Sequence, residues 1–387
     1  MSEYQYYEFV AVDRPLTESQ QAQVRELSTR ARITATRFVN EYHWGNFKGD
    51  PVRMVERYYD AHLYVTTWGT HRFLFKLPRT ALGLDVVDQY CVGDYVTAWT
   101  VGEHLLIDMT SDEYDGDWEE SAEDSLSVLI GVRSELASGD LRALYLAWLA
   151  GYGTWERDED AFDRDHDEQL GPPVPPGLRA LTAPQLALAE FLRVDPDVLE
   201  VAARASPNLA ATTDDPSAVA AWISSLDIAD KDGLLLRVAL GESTAVRAEL
   251  LRRYRGGAAQ PAMAGTRTVT DLLDGAARHR AERERVQAAE RDRELARQEA
   301  EHLRERERRL RRLTTEGEAV WGRVEALVET GRGRSYDEAA ELLADLRELA
   351  ERDGYTNEFA CRVANLRERH ARRPAFLRRL ADPNITR

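Results

Sequence analysis

The sequence predicts a multidomain protein with an N-terminal α+β domain, an all-α middle domain, a long charged helix and a small C-terminal helical bundle. Three observations support this prediction. Short segments rich in aromatic and β-branched residues are separated by turn signals before residue 110. Residues 278–312 contain no Pro or Gly, and Arg and Glu recur there three and four residues apart. Amphipathic helical spacing fills most of the remainder.

The predicted boundaries follow changes in composition along the chain. One segment is acidic and then Pro-rich, which is typical of a linker, and another contains the Gly and Pro residues of a hinge. The predicted parts are an α+β domain with antiparallel hairpins (1–155), an acidic and Pro-rich linker (156–177), a helical domain (178–255), a hinge (256–267), a charged helix (268–312) and a C-terminal helical module (313–387).

Local signals define the elements of the α+β domain. Strands are predicted over 4–12 and 33–42, hairpins over 62–77 and 95–109, and helices over 18–30, 51–59, 80–90 and 125–152. Thr17 and Asp50 are suited to cap the first two helices, because their side-chain oxygens can accept N–H groups of the first turn. Trp68-Gly69-Thr70 and Val101-Gly102 supply the hairpin turns.

Helical periodicity dominates after the predicted linker. Asp195-Pro196 and Asp215-Pro216 are typical helix starts, because Asp caps a helix and Pro fits its first turn. Beyond the charged helix, apolar stripes over 320–328, 336–351 and 359–370 predict three short helices that form a bundle.

The charged helix allows two interpretations. One heptad position supports a coiled coil, since it is occupied by Ala289, Ala296, Leu303 and Leu310. The complementary position does not, since it is occupied by Val286, Arg293, Ala300 and Glu307. We therefore expect a single solvated helix, with a weak coiled coil as the alternative.

Charge and cysteine content limit the function classes. The formal net charge of −17 comes mainly from residues 101–170, where 20 acidic residues face four arginines, whereas residues 362–387 contain eight arginines and two acidic residues. Cys91 and Cys361 are far apart in sequence, which excludes a disulfide framework or a cysteine-based zinc site. Without a signal peptide or a long apolar run, the protein is expected to be cytoplasmic, with no membrane contact.

Histidines are the first candidates for catalytic chemistry. They form no HxH or HExxH pair, although His62 and His71 flank a predicted hairpin and could meet across it. A hydrolase or nuclease in the N-terminal domain would need convergence of His43, His62, His71 and His104 with carboxylates.

Ion and phosphate motifs are incomplete. The acidic runs over 112–117 and 158–160 lack the EF-hand pattern for calcium, and no phosphate-binding P-loop is present. The basic turn over 331–334 remains a hypothetical phosphate contact. We predict no catalytic, cofactor-binding or metal-binding residues. The aromatic and basic residues of the N-terminal domain resemble a single-strand binder in composition, but an aromatic core is the favoured interpretation.

The C-terminal segment carries a family resemblance in Trp321…Val324…Leu327, in Tyr336-Asp337-Glu338-Ala339 and in Arg369-His370-Ala371-Arg372-Arg373-Pro374. About the last 65 residues resemble the tail of bacterial SWIM-type zinc-finger proteins. The full chain is similar to a mainly actinobacterial protein family that contains this tail. The CxC and Cys-x-His pairs of the SWIM finger are absent, so the resemblance implies no metal site. It implies a portable docking module, and the association of SWIM proteins with nucleic-acid transactions favours an adaptor there.

The favoured hypothesis is a non-enzymatic scaffold or adaptor that binds protein partners, in which the charged helix is a spacer to a basic docking module. The predicted contact residues of that module are Arg367, Arg369, His370, Arg372 and Arg373. One alternative is a nucleic-acid-binding accessory protein that uses the same tail, and a second is the N-terminal hydrolase or nuclease. No cofactor is expected, and the oligomeric state stays open.

Overall fold

The computed structural model describes residues 4–112, 122–153, 170–209, 216–239, 243–254 and 267–381. The chain divides into two compact units, residues 1–282 and residues 283–387. An antiparallel sheet with helices forms the first unit, and helices alone form the second. The predicted combination of an α+β part, all-α parts and a long helix is therefore confirmed at this level.

In the described part of the first unit, seven strands form one antiparallel sheet: β1 (Gln5–Val10), β2 (Arg32–Ile33), β3 (Arg37–Tyr42), β4 (Ala61–Thr66), β5 (Thr70–Pro78), β6 (Val96–Val101) and β7 (His104–Asp112). Their order across the sheet is β2-β3-β1-β4-β5-β7-β6. Both predicted hairpins are present, and Gly69 and Gly102 have φ of 101° and 57° in their turns. Glycine adopts such values without the steric cost that a Cβ imposes.

The predicted strand over 33–42 is wrong in its continuity. The structure has two strands there, β2 and β3, which pair with each other. Thr34 turns the chain: its N–H donates to the Arg37 carbonyl, and its hydroxyl accepts the Arg37 N–H. These local hydrogen bonds close a turn that the aromatic and β-branched composition of the segment does not indicate.

The helices described in the first unit are α1 (Glu18–Leu27), α2 (Pro51–Arg57), α3 (Leu84–Val87), α4 (Ala122–Ala137), α5 (Arg142–Gly153), α6 (Ala183–Phe191), α7 (Pro196–Ala205), α8 (Pro216–Ser225), α9 (Ile228–Ala239) and α10 (Ser243–Tyr254). Helices α1 and α2 cover one face of the sheet through Val24 and Met54. Helices α4 to α7 share a larger core with the opposite face, which includes Leu63, Phe75 and Ile107.

The packing does not follow the predicted division between a domain over 1–155 and a domain over 178–255. Helices α6 and α7 bury Leu188 and Val201 in the same core as the sheet. The sequence showed that these helices have an apolar face, but it could not show that a β-sheet lies beneath them.

The described part of the predicted linker is packed as well. Pro172 and Pro175 are buried, the Gly171 N–H donates to the Arg267 carbonyl, and the Tyr90 hydroxyl donates to the Pro173 carbonyl. Residues 170–177 therefore contribute to the first unit, because proline side chains pack well wherever the chain is already extended. Residues 156–169 of the predicted linker and 256–266 of the predicted hinge lie outside the described residues.

A buried ion pair lies just beyond the β4–β5 ladder. Asp60 Oδ2 accepts the N–H groups of Val12 and Asp13 at 2.7 and 2.8 Å. Asp60 Oδ1 lies 3.4 Å from Lys76 Nζ, which also donates to the Val55 carbonyl at 2.9 Å. Burial lowers the pKa of Lys76, and the Asp60 carboxylate opposes that shift. The pair joins the end of β1, helix α2 and the two strands.

Arg133 extends this network to helix α4. Its Nε donates to the Lys76 carbonyl at 2.8 Å, and its Nη2 lies 2.5 Å from an Asp13 carboxylate oxygen. The Arg133 side chain is almost completely buried. Because α4 packs on the sheet here, the network fixes where the helical layer meets the strands.

Replacing Lys76 with Met should destabilise the first unit by roughly 3 kcal/mol, because a buried carboxylate would lose its charged partner. Urea unfolding of the full chain, followed by circular dichroism, measures the change. Lys48→Met is the matched control, since Lys48 is exposed. Equal unfolding free energies for the two variants would contradict the assigned importance of the ion pair.

The second unit contains most of α11 (Val269–Glu316), followed by α12 (Glu318–Glu329), α13 (Gly333–Asp353), α14 (Thr356–Arg369) and α15 (Pro374–Leu380). The three predicted short helices are present as α12, α13 and α14. Helix α15 was not predicted: it begins at Pro374 and buries Phe376 and Leu380 in the bundle.

Helix α11 contributes to the cores of both units. Leu272 and Ala276 are buried in the first unit, and Leu310 and Leu313 are buried in the second. Between them, residues 289–299 are all exposed, as expected of a solvated helix. The prediction that residues 278–312 form a solvated spacer is wrong at the C-terminal end, where Leu310 is buried in the core of the second unit.

Fragment 283–387 should fold on its own, and fragment 313–387 should be less stable. The shorter fragment lacks Leu310, whose burial contributes about 2 kcal/mol, and also lacks the arginines of α11 that pair with α13. Thermal unfolding by circular dichroism should give a melting temperature roughly 10 °C lower for the shorter fragment. Equal melting temperatures would show that the end of α11 is dispensable.

Candidate interaction surfaces

The four N-terminal histidines do not form a common site. His71 lies three residues from the β5 partner of His62, so the two rings lie on opposite faces of the sheet. His43 follows β3 at one end of the sheet, and His104 begins β7 at the other end. These four histidines therefore do not converge as the hypothesis of an N-terminal hydrolase or nuclease requires.

His62 has a structural environment. Its ring is fully buried and stacks on Phe9 with centroids 4.0 Å apart, and Nδ1 lies 3.0 Å from the Glu8 carbonyl oxygen. Burial lowers the pKa of His62 to about 3. The imidazole is therefore neutral in the folded protein at neutral pH and behaves as an aromatic core residue.

The buried His62 should make the protein less stable as the pH falls. Its folded pKa lies below the unfolded value of 6.5, so the unfolded chain binds a proton first, and stability is lost as the pH falls below 6.5. This group should contribute a loss of roughly 3 kcal/mol between pH 6.5 and 4. Urea unfolding of His62→Phe across this range should show a flatter pH dependence than the wild type.

His43→Gln serves as the control for this measurement, because His43 is exposed. It should retain the pH dependence of the wild type. If the unfolding free energy of His62→Phe depends on pH as steeply as that of the wild type, another group causes the acid sensitivity.

The described residues contain neither a metal-binding cluster nor a membrane-spanning helix. No group of three His, Cys, Asp or Glu side chains in these residues is arranged to hold a metal ion. No helix in the same part of the chain is long and apolar enough to cross a membrane. Of the acidic runs considered for calcium, 112–117 and 158–160, all residues except Asp112 lie outside the described residues.

Most aromatic side chains of the sheet belong to the core, including Tyr6, Phe9 and Phe75. This agrees with the favoured interpretation of the aromatic composition. Of the described aromatic side chains in the first unit, those of Trp44 and Trp68 are exposed, with exposed fractions of 72% and 43%. In the described part of the first unit, two such residues do not make the extended stacking platform that is typical of proteins that bind the bases of single strands.

Two of the five predicted tail contacts stabilise the second unit internally. Arg369 pairs with Glu325 of α12 at 2.6 Å. The Arg373 guanidinium donates to the Val328 and Glu329 carbonyls at the C-terminal end of α12. A cation at this position satisfies carbonyls that have no partner within the helix.

The other three predicted contact residues differ in their exposure to solvent. Arg367 and Arg372 are exposed, whereas His370 is half-buried with its ring edge towards Phe376, 6.1 Å between centroids. The role of these five residues as one contact face stays a prediction. Their charge is evident from the sequence, but the carbonyls and the carboxylate that contact Arg369 and Arg373 lie about 45 residues earlier in the chain.

The basic turn over 331–334 lies beside Arg373. Gly331 has φ of 70°, and a Cβ built at Gly331 would lie 3.5 Å from Arg373 Nη1. The turn therefore contacts Arg373, and Arg332 and Arg334 are exposed on it. Its hypothetical phosphate contact stays a prediction.

The C-terminal end of α11 packs on α13 through ion pairs. Arg309 Nε lies 2.5 Å from Asp345 Oδ2, and Arg306 pairs with Glu348. Burial raises the pKa of Asp345, while Arg309 opposes that shift. An open groove of about 430 Å³ lies along this contact and is lined by His302, Glu305, Arg306, Arg308, Arg309, Arg312 and Asp345.

A second set of arginines on α11 forms no ion pair with these carboxylates. Arg304, Arg308 and Arg312 follow each other at four-residue spacing, all are exposed, and none forms an ion pair with a described residue. Sequence reasoning missed this row because every arginine of the segment has a nearby glutamate. The sequence signal that could have revealed this row is the set of acidic residues on α13, because these residues pair with only some of the α11 arginines.

Helix α9 presents an exposed apolar face. Leu234 is buried, but the exposed fractions of Ile228, Leu235 and Leu236 are 73%, 65% and 60%. Ion pairs hold the helix on α10: Arg237 lies 2.6 Å from Glu249, and Asp230 lies 3.4 Å from Arg253. The apolar face is therefore presented by a helix whose other side is fixed.

No protein-family model, curated protein or solved structure matches this chain. The resemblance of the tail to SWIM-type proteins stays a prediction from the sequence. The surfaces described above therefore provide the basis for a functional proposal.

Proposed function

We propose that the protein is a non-enzymatic adaptor that binds a partner protein through the apolar face of α9. The observation that supports this proposal is the exposure of Ile228, Leu235 and Leu236 on one helix. Exposed apolar side chains are common singly, but adjacent ones on a fixed helix are typical of interaction sites. Helix α11, with its exposed segment 289–299, serves as the spacer to a basic second unit that docks a further ligand.

The spacing on α9 favours a helical partner. Ile228, Leu235 and Val238 lie at i, i+7 and i+10, which places them along one stripe, with Leu236 beside it. Such a stripe binds the apolar face of an amphipathic helix. Complete burial of an Ile or Leu side chain contributes roughly 2 kcal/mol, so three such residues outweigh the ordering of their side chains.

Quantitative pull-down with the full chain tests this proposal. A partner recovered with the wild type is identified by mass spectrometry, purified, and titrated against each variant. Leu235→Glu combined with Leu236→Glu should raise the dissociation constant by roughly 700-fold, because two leucines that contribute about 2 kcal/mol each are lost.

Leu295→Glu combined with Leu303→Glu is the matched control. These two leucines lie on α11 and are 58% and 64% exposed, close to the values on α9. The control should bind within twofold of the wild type. Loss of binding in the control alone would place the partner on α11, as the coiled-coil alternative requires. If the α9 double variant changes only self-association, as measured by light scattering, the α9 face is a contact between copies of this chain.

A further inference from the structure

We propose that the groove between the end of α11 and α13 binds the phosphodiester backbone of a nucleic-acid strand through Arg308 and Arg312, which line it, and through Arg304, which continues their row one turn earlier on α11. This inference rests on the proposed docking role of the second unit and names its ligand. It does not depend on the α9 face, which lies in the first unit.

The spacing of the three arginines suits a linear polyanion. Residues four apart on a helix lie about 6 Å apart along its axis, so the row spans about 12 Å. A guanidinium presents two parallel N–H donors that match two phosphate oxygens. Because the side chains are exposed and have no ion pair with a described residue, a phosphate would not have to displace a carboxylate.

The neighbouring arginines explain why the row stays available. Arg306 and Arg309 engage Glu348 and Asp345, so these carboxylates of α13 are neutralised by other arginines. Glu305 is the groove carboxylate without such a partner in the described residues, and three arginine cations of the lining besides Arg306 outnumber it: Arg308, Arg309 and Arg312. The accessible charge of the groove is therefore positive.

The lining indicates which part of a nucleic acid is recognised. The groove is within the size range of ligand sites, but apart from His302 it has no aromatic side chain on which a base could stack. Charged side chains dominate it. Contacts are therefore made to phosphates, and binding is expected to be independent of base sequence.

The charge distribution over the chain restricts nucleic-acid binding to a local group of cations. Residues 1–282 contain 27 basic and 46 acidic residues, whereas residues 283–387 contain 24 and 22. A polyanion is repelled by the first unit as a whole, so general attraction to the protein cannot produce an affinity. Binding of a nucleic acid must come from a concentrated group of cations.

Fluorescence anisotropy with a labelled 20-nucleotide single strand tests the proposal on the full chain. Three phosphate contacts predict a salt slope of roughly −2, so affinity should fall about 20-fold between 50 and 200 mM salt. Arg304→Gln, Arg308→Gln and Arg312→Gln together should weaken binding at 50 mM salt at least tenfold and abolish most of the slope. Circular dichroism confirms that this variant is folded.

The triple variant Arg367→Gln, Arg372→Gln and Arg378→Gln is the matched control, because it removes three exposed arginines of the same unit. This control should bind the strand as the wild type does. The α9 double variant should do so too, because the loss of partner binding expected for it concerns only the adaptor proposal. Loss of binding in the tail variant with retention in the groove variant would overturn the proposal in favour of the tail. Absence of wild-type binding at 50 mM salt would also overturn the proposal. So would competition by polyglutamate as effective as that by unlabelled nucleic acid, because it would indicate an acidic protein ligand.

Discussion

The ion pair between Lys76 and Asp60 is the interaction on which the first unit depends. A buried lysine is costly to desolvate, and it is tolerated here because Asp60, two backbone N–H groups and the Val55 carbonyl satisfy both charges. Replacement of such a pair by apolar residues can be neutral, but loss of one member is not. Since Arg133 adds α4 to the same network, the helical layer and the sheet are fixed at one point.

Local signals predicted the elements well because their causes lie within a few residues. Thr17 and Asp50 cap α1 and α2 as their residue types suggest, and Gly69 and Gly102 occupy the hairpin turns. Non-local packing was not predictable in the same way. The apolar faces of α6 and α7 were evident, but the sheet beneath them belongs to residues more than 60 positions earlier in the chain.

The candidate surfaces illustrate the same limit. Arg373 and Arg308 have the same chemistry in sequence, yet Arg373 caps α12 and Arg308 is exposed on the rim of a groove. In α9, Leu234 and Leu235 are adjacent and equally apolar, and only the fold decides that the first is buried and the second exposed. The sequence therefore supplies the residues of a surface, and the tertiary contacts select which of them remain accessible.

The exposed segment of α11 also has a consequence for hydrogen exchange. Residues 289–299 touch neither core, so their backbone hydrogen bonds are supported by helix propensity and by i,i+4 charge pairs worth about 0.2 to 0.5 kcal/mol each. Amide hydrogens of this segment should exchange with deuterium through local opening of the helix. Those of the buried strands should instead require opening of a much larger cooperative unit. One continuous helix thus contains two regimes of backbone protection.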